Sequence, residues 1–522
     1  MLLTRALLLA FVLGFIVPTG HTRPALPAAG SPPNIIFVLT DDLDVETLAH
    51  LPRLRALLTD RGATFSNFFV SLSLCCPSRT TTLRGQYAHN TQVFTNDLPG
   101  GGFLKVYQDN LEASTVATWL QKAGYRTVLL GKYLNGYPRQ NDSAYIPPGW
   151  DEWYSPSGGS PYSEYNYRLN ENGFTVTYGH APSDYLIDVM ARKAADYIWR
   201  TRPGGRDAHP FFMYVSPYAP HEPATPAPRY EQAFSGVSAP RTPSFNEANV
   251  SDKPAWVQSR PLLTASQIAE IDALYRKRLQ SMLAVEDLLG TLVRALEDTG
   301  QIGNTYIFFS SDNGFHLGQH RLAQGKNTEF EEDLLVPLIV RGPGVEAGRT
   351  IEAMAANIDL APTFADLTGA TPPAFVDGRS LLPLLTARAT PDAWRHAILL
   401  EHGYPGPAAL VHVAPGDLTF PGLLEPPDAF EVGENAAEPR PVPMPVFQGL
   451  RTDRYIYIEY ATGEREVYDI INDPHQLQAL KPKPAFVNAM SAWLGALRTC
   501  AGEQCRALEN RSPADVLPRP RP

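Results

Sequence analysis

The run Ile35-Ile36-Phe37-Val38-Leu39 is uninterrupted, rich in β-branched side chains, and stops abruptly at Thr40-Asp41-Asp42. A short continuous apolar run of this kind predicts a strand covered on both faces, as in a parallel sheet. The pattern recurs at 127–130, 211–215, 306–309 and 335–340. Between these runs the apolar positions take helical spacing, over 51–60, over 115–122 up to Gly124, over 185–200 and along a stretch at 268–296. Helices alternating with apolar strands predict a three-layer α/β fold. Beyond about residue 375 the character changes. Residues 403–449 are crowded with Pro and Gly, and 450–460 and 466–470 alternate like a hairpin. They predict a smaller antiparallel sheet, closed by a helix over 484–497.

The chain starts with Arg5 and an apolar stretch at 6–17, followed by Pro18-Thr19-Gly20. This predicts a secretory signal over 1–22, because the stretch is too short to span a bilayer comfortably. An exported protein with no stable membrane association after cleavage is expected. Residues 21–33 read as a linker. The division expected is a catalytic α/β domain over 32–375, a smaller C-terminal α+β subdomain over 376–510 and a disordered tail over 511–522. Sequons stand at Asn141, Asn249 and Asn510.

Composition adds exclusions. With 44% hydrophobic and 19% charged residues the chain is neither disordered nor a coiled coil. A formal net charge of −10 gives no attraction to phosphate backbones, so nucleic acid is not an expected partner. Of the four cysteines, Cys500 and Cys505 are expected to close a small loop in an oxidising compartment. Cys75 and Cys76 are adjacent, and a disulfide between neighbours is strained. One of the two is therefore read as chemical, the other reading being a pair of buried thiols acting as small apolar residues.

Asp41 and Asp42 stand where the first strand stops, and Asp312 and Asn313 stand just beyond the run at 306–309. In open parallel sheets, ligands bind outside the carboxyl ends of the strands. Oxygen donors from two strand ends favour a hard cation, Ca²⁺ or Mg²⁺, over zinc. A helix N-cap at Asp41-Asp42 and a turn at Asp312-Asn313-Gly314 are the plainer alternatives.

The stretch Cys75-Cys76-Pro77-Ser78-Arg79, with Leu83-Arg84-Gly85 after it, resembles the sulfatase signature. The resemblance runs over about 32–480 and implies an alkaline-phosphatase-like three-layer sandwich. In that fold a large mixed, mostly parallel sheet accompanies a smaller C-terminal antiparallel one. It implies that Cys75 becomes formylglycine (3-oxoalanine) through the formylglycine-generating enzyme, with Cys76 at the variable position. It implies a metal site of Asp41, Asp42, Cys75, Asp312 and Asn313. An aldehyde hydrate suits sulfuryl transfer, since one hydroxyl attacks sulfur and the other collapses to expel sulfate. A metal there lowers the hydroxyl's pKa and holds a sulfate oxygen.

Further family motifs are similar in order and setting. Lys132 stands in a Gly-Lys pair, His221 in Ala219-Pro220-His221, and Lys326 in Gln324-Gly325-Lys326 ahead of Val336-Pro337. With Arg79 they form a candidate sulfate-binding set, since fixed cations aimed at developing charge are a large catalytic term. Asp359-Leu360-Ala361-Pro362-Thr363, Tyr468-Asp469 and Asp473-Pro474 resemble later motifs that read as structural. Two positions depart from the pattern. Gln86 follows the signature's Gly where many members carry a basic residue, and Leu134 stands where many carry a His. The general base is accordingly sought at His221 or His316, with His89 as a third candidate.

Gly131-Lys132-Tyr133-Leu134-Asn135 and Tyr145-Ile146-Pro147-Pro148-Gly149-Trp150 are similar to the branch of N-acetylglucosamine-6-sulfatases, extracellular heparan sulfatases and microbial arylsulfatases. The expected activity is hydrolysis of a small aryl or sugar sulfate, a polyanion being disfavoured by the acidic charge. The competing readings are a phosphate or phosphonate ester hydrolase of the same superfamily and a catalytically weak sulfate-ester-binding protein.

Overall fold

The runs that read as doubly covered strands lie side by side. In the computed structural model, which describes residues 31–139, 142–386, 390–391, 393–403 and 442–512, Asn34–Thr40 pairs in parallel with Phe211–Ser216 and with Thr305–Ser311. Arg126–Gly131 pairs in parallel with Phe211–Ser216 and with Glu152–Gly159. These five strands are the parallel centre of a ten-stranded mixed sheet. Leu338–Arg341 joins Thr305–Ser311 antiparallel, followed outward by Ala63–Phe65 and Arg349–Ile351. On the far side Tyr167–Glu171 and Phe174–Tyr178 extend the sheet antiparallel.

Successive side chains of the first strand feed two cores. Ile35, Phe37 and Leu39 join one with Phe212, Tyr214 and Phe308, while Ile36 and Val38 join the other with Met213, Val215, Ile307 and Phe309. This two-sided cover is why the apolar runs have no polar alternation. Each such side chain contributes about 1.5–3 kcal/mol of burial. The second face is covered by the helices Leu186–Thr201 and Ala265–Asp298. The first face lies under Val116–Lys122 and Leu360–Thr368, with Cys76 and Leu83 of the helix Cys75–Arg84 in the same core. The molecule is therefore a three-layer α/β structure.

Ala397–His402, Phe447–Thr452, Tyr455–Tyr460 and Arg465–Asp469 form a second, wholly antiparallel sheet. The helix Pro484–Leu497 supplies Met490, Trp493, Leu494 and Leu497 to its core. The expected arm at 450–460 is two strands broken at Asp453-Arg454. The strand expected over 335–340 starts at Leu338, since Pro337 has no N–H to give the ladder. The strand at 152–159 and the antiparallel extension at 167–178 were not expected. Glu152–Gly159 carries Ser, Pro and Gly instead of an apolar run, and Phe174–Thr177 is exposed. Cys500 and Cys505 form a disulfide, as expected. Asn249 is exposed. The expected signal, the sequon at Asn141, most of 403–449 and the tail beyond 512 lie outside the described residues. Among the described residues no helix is long and apolar enough to cross a membrane.

A buried ion network ties the chain's end to the large sheet's helices. Arg395 donates to Glu509 at 2.9 Å and to both carboxylate oxygens of Asp359, and Arg379 also reaches Glu509 at 2.7 Å. Arg395→Met is expected to lower stability by about 3–5 kcal/mol, because it strands buried carboxylates without their shared cation. A urea unfolding midpoint unchanged from the parent would contradict this.

Candidate active site

Register brings the strand ends together. Thr40 lies beside Ser311, and Gly131 beside Ser216. The backbone steps that follow are locked to one another: Asp312 N–H donates to Thr40 O at 3.1 Å, Lys132 N–H to Ser216 O at 2.8 Å, and Asp41 N–H to Ala219 O at 3.2 Å. Asp41, Lys132, Asp312 and the His221 turn thus emerge at one sheet edge. Asp42 takes φ 67°, a left-handed conformation rare outside Gly, Asn and Asp. Its N–H donates to Asp312 Oδ1 at 3.1 Å.

The helix Cys75–Arg84 brings its first turn to the same place. Pro77 lies in that turn, where its missing N–H costs no helical bond. Gly85 ends the helix at φ 65°, a conformation that favours glycine. Residues i, i+3 and i+4 share a helix face, which explains the spacing of Cys75, Ser78 and Arg79. Ser78 Oγ donates to Asp312 O, and Arg79 Nε to Asp312 Oδ2 at 2.8 Å. Arg79 Nη1 donates to Ser216 Oγ at 2.6 Å and Lys132 O at 3.2 Å, while Nη2 stands 3.7 Å from Asp41. Cys75 Sγ lies 3.4 Å from Asp41 Oδ1 and 3.9 Å from Asp42 Oδ1. It occupies the positive end of the helix dipole, which favours an anionic nucleophile.

Two lysines complete the cluster. Lys132 Nζ donates to Asp41 Oδ2 at 2.7 Å. Lys326 Nζ lies 2.9 and 3.1 Å from the Asp42 oxygens and 3.0 Å from Cys75 Sγ. His221 turns its Nδ1 to the Glu222 carbonyl, 2.8 Å away, and its Nε2 toward Asp42 Oδ2, 3.6 Å away. Every one of these residues is buried. Burial pushes the carboxyls of Asp41 and Asp312 upward. At Asp41 the charges of Lys132, His221 and Arg79 outweigh it and hold the pKa below the usual range. At Asp312 burial prevails over Arg79, and the neighbouring Asp41 charge adds to it.

The donor set fits a hard cation. Asn313 Nδ2 donates to Asp42 Oδ1 at 2.7 Å and Gly314 O at 2.9 Å, so the amide orientation is decided. Its Oδ1 is then a buried oxygen with no hydrogen-bond partner. Asp41, Asp42, Cys75 and His221 each offer a ligand atom within 4.8 Å of the others. The three carboxylates do not rely on an outside ion for balance, because Arg79, Lys132 and Lys326 answer them one for one.

Residues 33–370 match the family model described as Sulfatase. The chain belongs to the sulfatase family. It is 37% identical over 484 residues to N-acetylglucosamine-6-sulfatase of Homo sapiens, covering 91% of this chain and 86% of that one. It is 33% identical over 512 residues to the arylsulfatase of Chlamydomonas reinhardtii, covering 91% and 75%. Among solved structures, a protein in complex with its substrate D-glucosamine-2-N,6-O-disulfate superposes with a TM-score of 0.69 at 23% identity, covering 91% of this chain and 99% of that chain. The phosphonate monoester hydrolase of Agrobacterium radiobacter gives 0.62 at 20%, covering 89% and 94%. The sulfatase is accordingly a sulfuric ester hydrolase with an alkaline-phosphatase-like fold.

Some expected positions lie elsewhere. His316 Nδ1 is held by Asp333 at 3.0 and 3.1 Å, and its Nε2 is buried without a partner, so none of its bonds reaches Cys75, Asp41, Asp42 or Asp312. His89 is bound to Glu401 and the Cys500 carbonyl. Gln86 pairs with Arg84 and the Phe375 carbonyl, and Leu134 packs in the core, so neither departure touches the cluster. Sequence reading missed Arg278 and Tyr162. Arg278 Nη2 donates to Asp44 at 2.9 Å and to the Asp42 carbonyl, and Nη1 to Pro220 O at 3.3 Å. It joins the Asp42 and His221 turns from within a long helix, where nothing in the local pattern marks it. The Tyr162 ring lies 5.1 Å from Lys132 Nζ and 4.8 Å from the His221 ring.

Proposed function

We propose that this sulfatase hydrolyses a small sugar or aryl sulfate monoester at Cys75, matured to formylglycine. Asp41, Asp42, Asp312 and Asn313 would hold a divalent cation, Ca²⁺ or Mg²⁺, beside it. The observation that carries the reading is the convergence of Cys75 with Arg79, Lys132, His221 and Lys326 on one buried sheet edge. Cys75 Sγ stands in for the oxygens of the aldehyde hydrate, which supplies one hydroxyl to attack sulfur and one to release sulfate. A cation held by these residues would supply Lewis acidity to that hydroxyl and to the sulfate.

The chain's own residues have distinct tasks. Lys326, against Cys75 and Asp42, and Lys132, against Asp41, offer ammonium groups to the sulfate oxygens, where negative charge spreads in the transition state. Arg79 keeps Asp41 and Asp312 in place and answers their charge. His221 is the proton-transfer candidate supported by geometry, since its Nδ1 is taken by a carbonyl and its Nε2 faces the cluster. The apolar leader at 6–17 and the Cys500–Cys505 disulfide support export into an oxidising compartment.

N-acetylglucosamine 6-sulfate and 4-nitrophenyl sulfate distinguish the substrate classes, and phenyl phosphonate monoesters test the wider superfamily. The expected outcome is turnover of a sulfate ester with kcat/KM at least about a hundredfold above that for the phosphonate ester, since a pocket built for one anion discriminates by a few kcal/mol. A preference for the phosphonate ester would overturn the assignment.

A further inference from the structure

The segment carrying Lys326 is gripped from two sides. On the large-sheet side Gly325 pairs with His316 through bonds of 2.8 and 3.2 Å, and Ser73 Oγ donates to Thr328 O at 3.2 Å. On the other side the C-terminal sheet holds it at three residues. His402 Nδ1 lies 3.0 Å from Asn327 Oδ1, and Arg451 donates to Glu331 at 2.7 and 3.2 Å. Between them, the Tyr460 hydroxyl lies 2.7 Å from Glu329 Oε1 and 2.5 Å from Glu466 Oε2.

A phenol has one proton. Tyr460 cannot donate to two carboxylates, and Trp256 Nε1 already approaches its oxygen as a donor at 3.4 Å. One carboxyl must therefore be neutral and donate to Tyr460, while Tyr460 donates to the other. Glu466 is the anion: its second oxygen accepts the Tyr468 hydroxyl, and Lys253 sits 4.8 Å from the centre of the Tyr468 ring. Glu329 is the acid: its Oε2 is buried with no hydrogen-bond partner. The titratable and charged groups facing the pair are Tyr460, Tyr468, Lys253 and Asp333. We propose that Glu329 and Glu466, which hold one carboxyl proton between them and are bridged by the Tyr460 hydroxyl, are positioning residues that dock the Lys326 segment on the C-terminal sheet. This rests on the role given to Lys326 above.

Burial drives the Glu329 carboxyl well above its ordinary range, and the Glu466 charge adds to it. Burial raises Glu466 too, against the pull of its tyrosines and Lys253. The sign follows. A carboxyl whose folded pKa is raised contributes stability that is complete below the unfolded carboxyl range and is lost as pH rises through the folded value. Above that value two anions face one buried hydroxyl, the dock opens, and Lys326 leaves Cys75. Activity should therefore carry an alkaline limb owned by Glu329.

The test is the pH dependence of kcat for 4-nitrophenyl sulfate in the matured, metal-loaded enzyme and in Glu329→Gln, Glu329→Ala and Lys326→Ala. The amide of Glu329→Gln cannot titrate but still donates to Tyr460. It is expected to keep kcat within about threefold at neutral pH and to shift the alkaline limb upward or abolish it. Glu329→Ala is expected to lose about tenfold in kcat, as a displaced catalytic group does. The parent's unfolding midpoint should also fall more steeply with pH than that of Glu329→Gln. Coincident alkaline limbs in the parent and Glu329→Gln, or an alanine variant as active as the glutamine variant at every pH, would overturn the inference. If those limbs coincide while Lys326→Ala destroys turnover, the dock alone fails. Full turnover in Lys326→Ala refutes the role of Lys326 and with it this inference.

Discussion

Cys75→Ala is expected to bind a sulfate ester and turn over none of it, with kcat reduced by at least about a thousandfold. Loss of a covalent nucleophile commonly has effects of that order or larger. The substitution is mild for the fold. It removes a sulfur from a helix start whose other contacts, Ser78 to Asp312 and Arg79 to Asp312 and Ser216, stay in place. Binding measured by calorimetry with N-acetylglucosamine 6-sulfate should survive, because Lys132 and Lys326 remain. The companion measurement is the mass of the tryptic peptide containing Cys75, since conversion of a thiol to an aldehyde changes that mass. Turnover near the parent rate in Cys75→Ala, or an unmodified peptide from fully active protein, would remove Cys75 from the chemistry.

Prolonged chelation should abolish most turnover, by about a hundredfold or more. A Lewis acid at a sulfate oxygen stabilises the transition state by several kcal/mol. The accompanying loss of stability should be smaller. An ion present at a hundred times its dissociation constant stabilises the folded state by about 2.7 kcal/mol. Because Arg79, Lys132 and Lys326 already answer the three carboxylates, the fold should outlast the chelator. Calcium and magnesium added back separately, with kcat and melting temperature followed together, check both parts. Turnover indifferent to exhaustive dialysis against chelator would refute the metal site.

Much of this architecture can be read in the residue pattern, for a physical reason. A strand covered on both faces must be apolar throughout, so its end is marked by the first polar residue, and in a parallel sheet those ends lie at one edge. Asp41, Lys132 and Asp312 lie within three residues of such ends, and His221 follows the next strand by one turn. The spacing of Cys75 and Arg79 is one helical turn, although nothing in the run announced a helix there. Local pattern does not report long-range contacts. Arg278, the Tyr460 contact with Glu329 and the Arg395 network join positions far apart in the chain, with no periodic trace. His316 shows the limit of chain proximity. It is close to Asp312 in the chain, but its ring bonds Asp333 and not Cys75, Asp41, Asp42 or Asp312.

The interleaving of three cations with three carboxylates has a consequence for how variants combine. Arg79 faces both Asp41 and Asp312, and Asp41 faces both Arg79 and Lys132, so removing one of these charges leaves a surplus that its neighbours must bear. Single substitutions at Asp41, Asp42, Asp312, Arg79, Lys132 or Lys326 will therefore overstate each residue's own share, and their effects will not add. The six side chains behave as one unit, like a keystone arch from which no single block can be weighed alone.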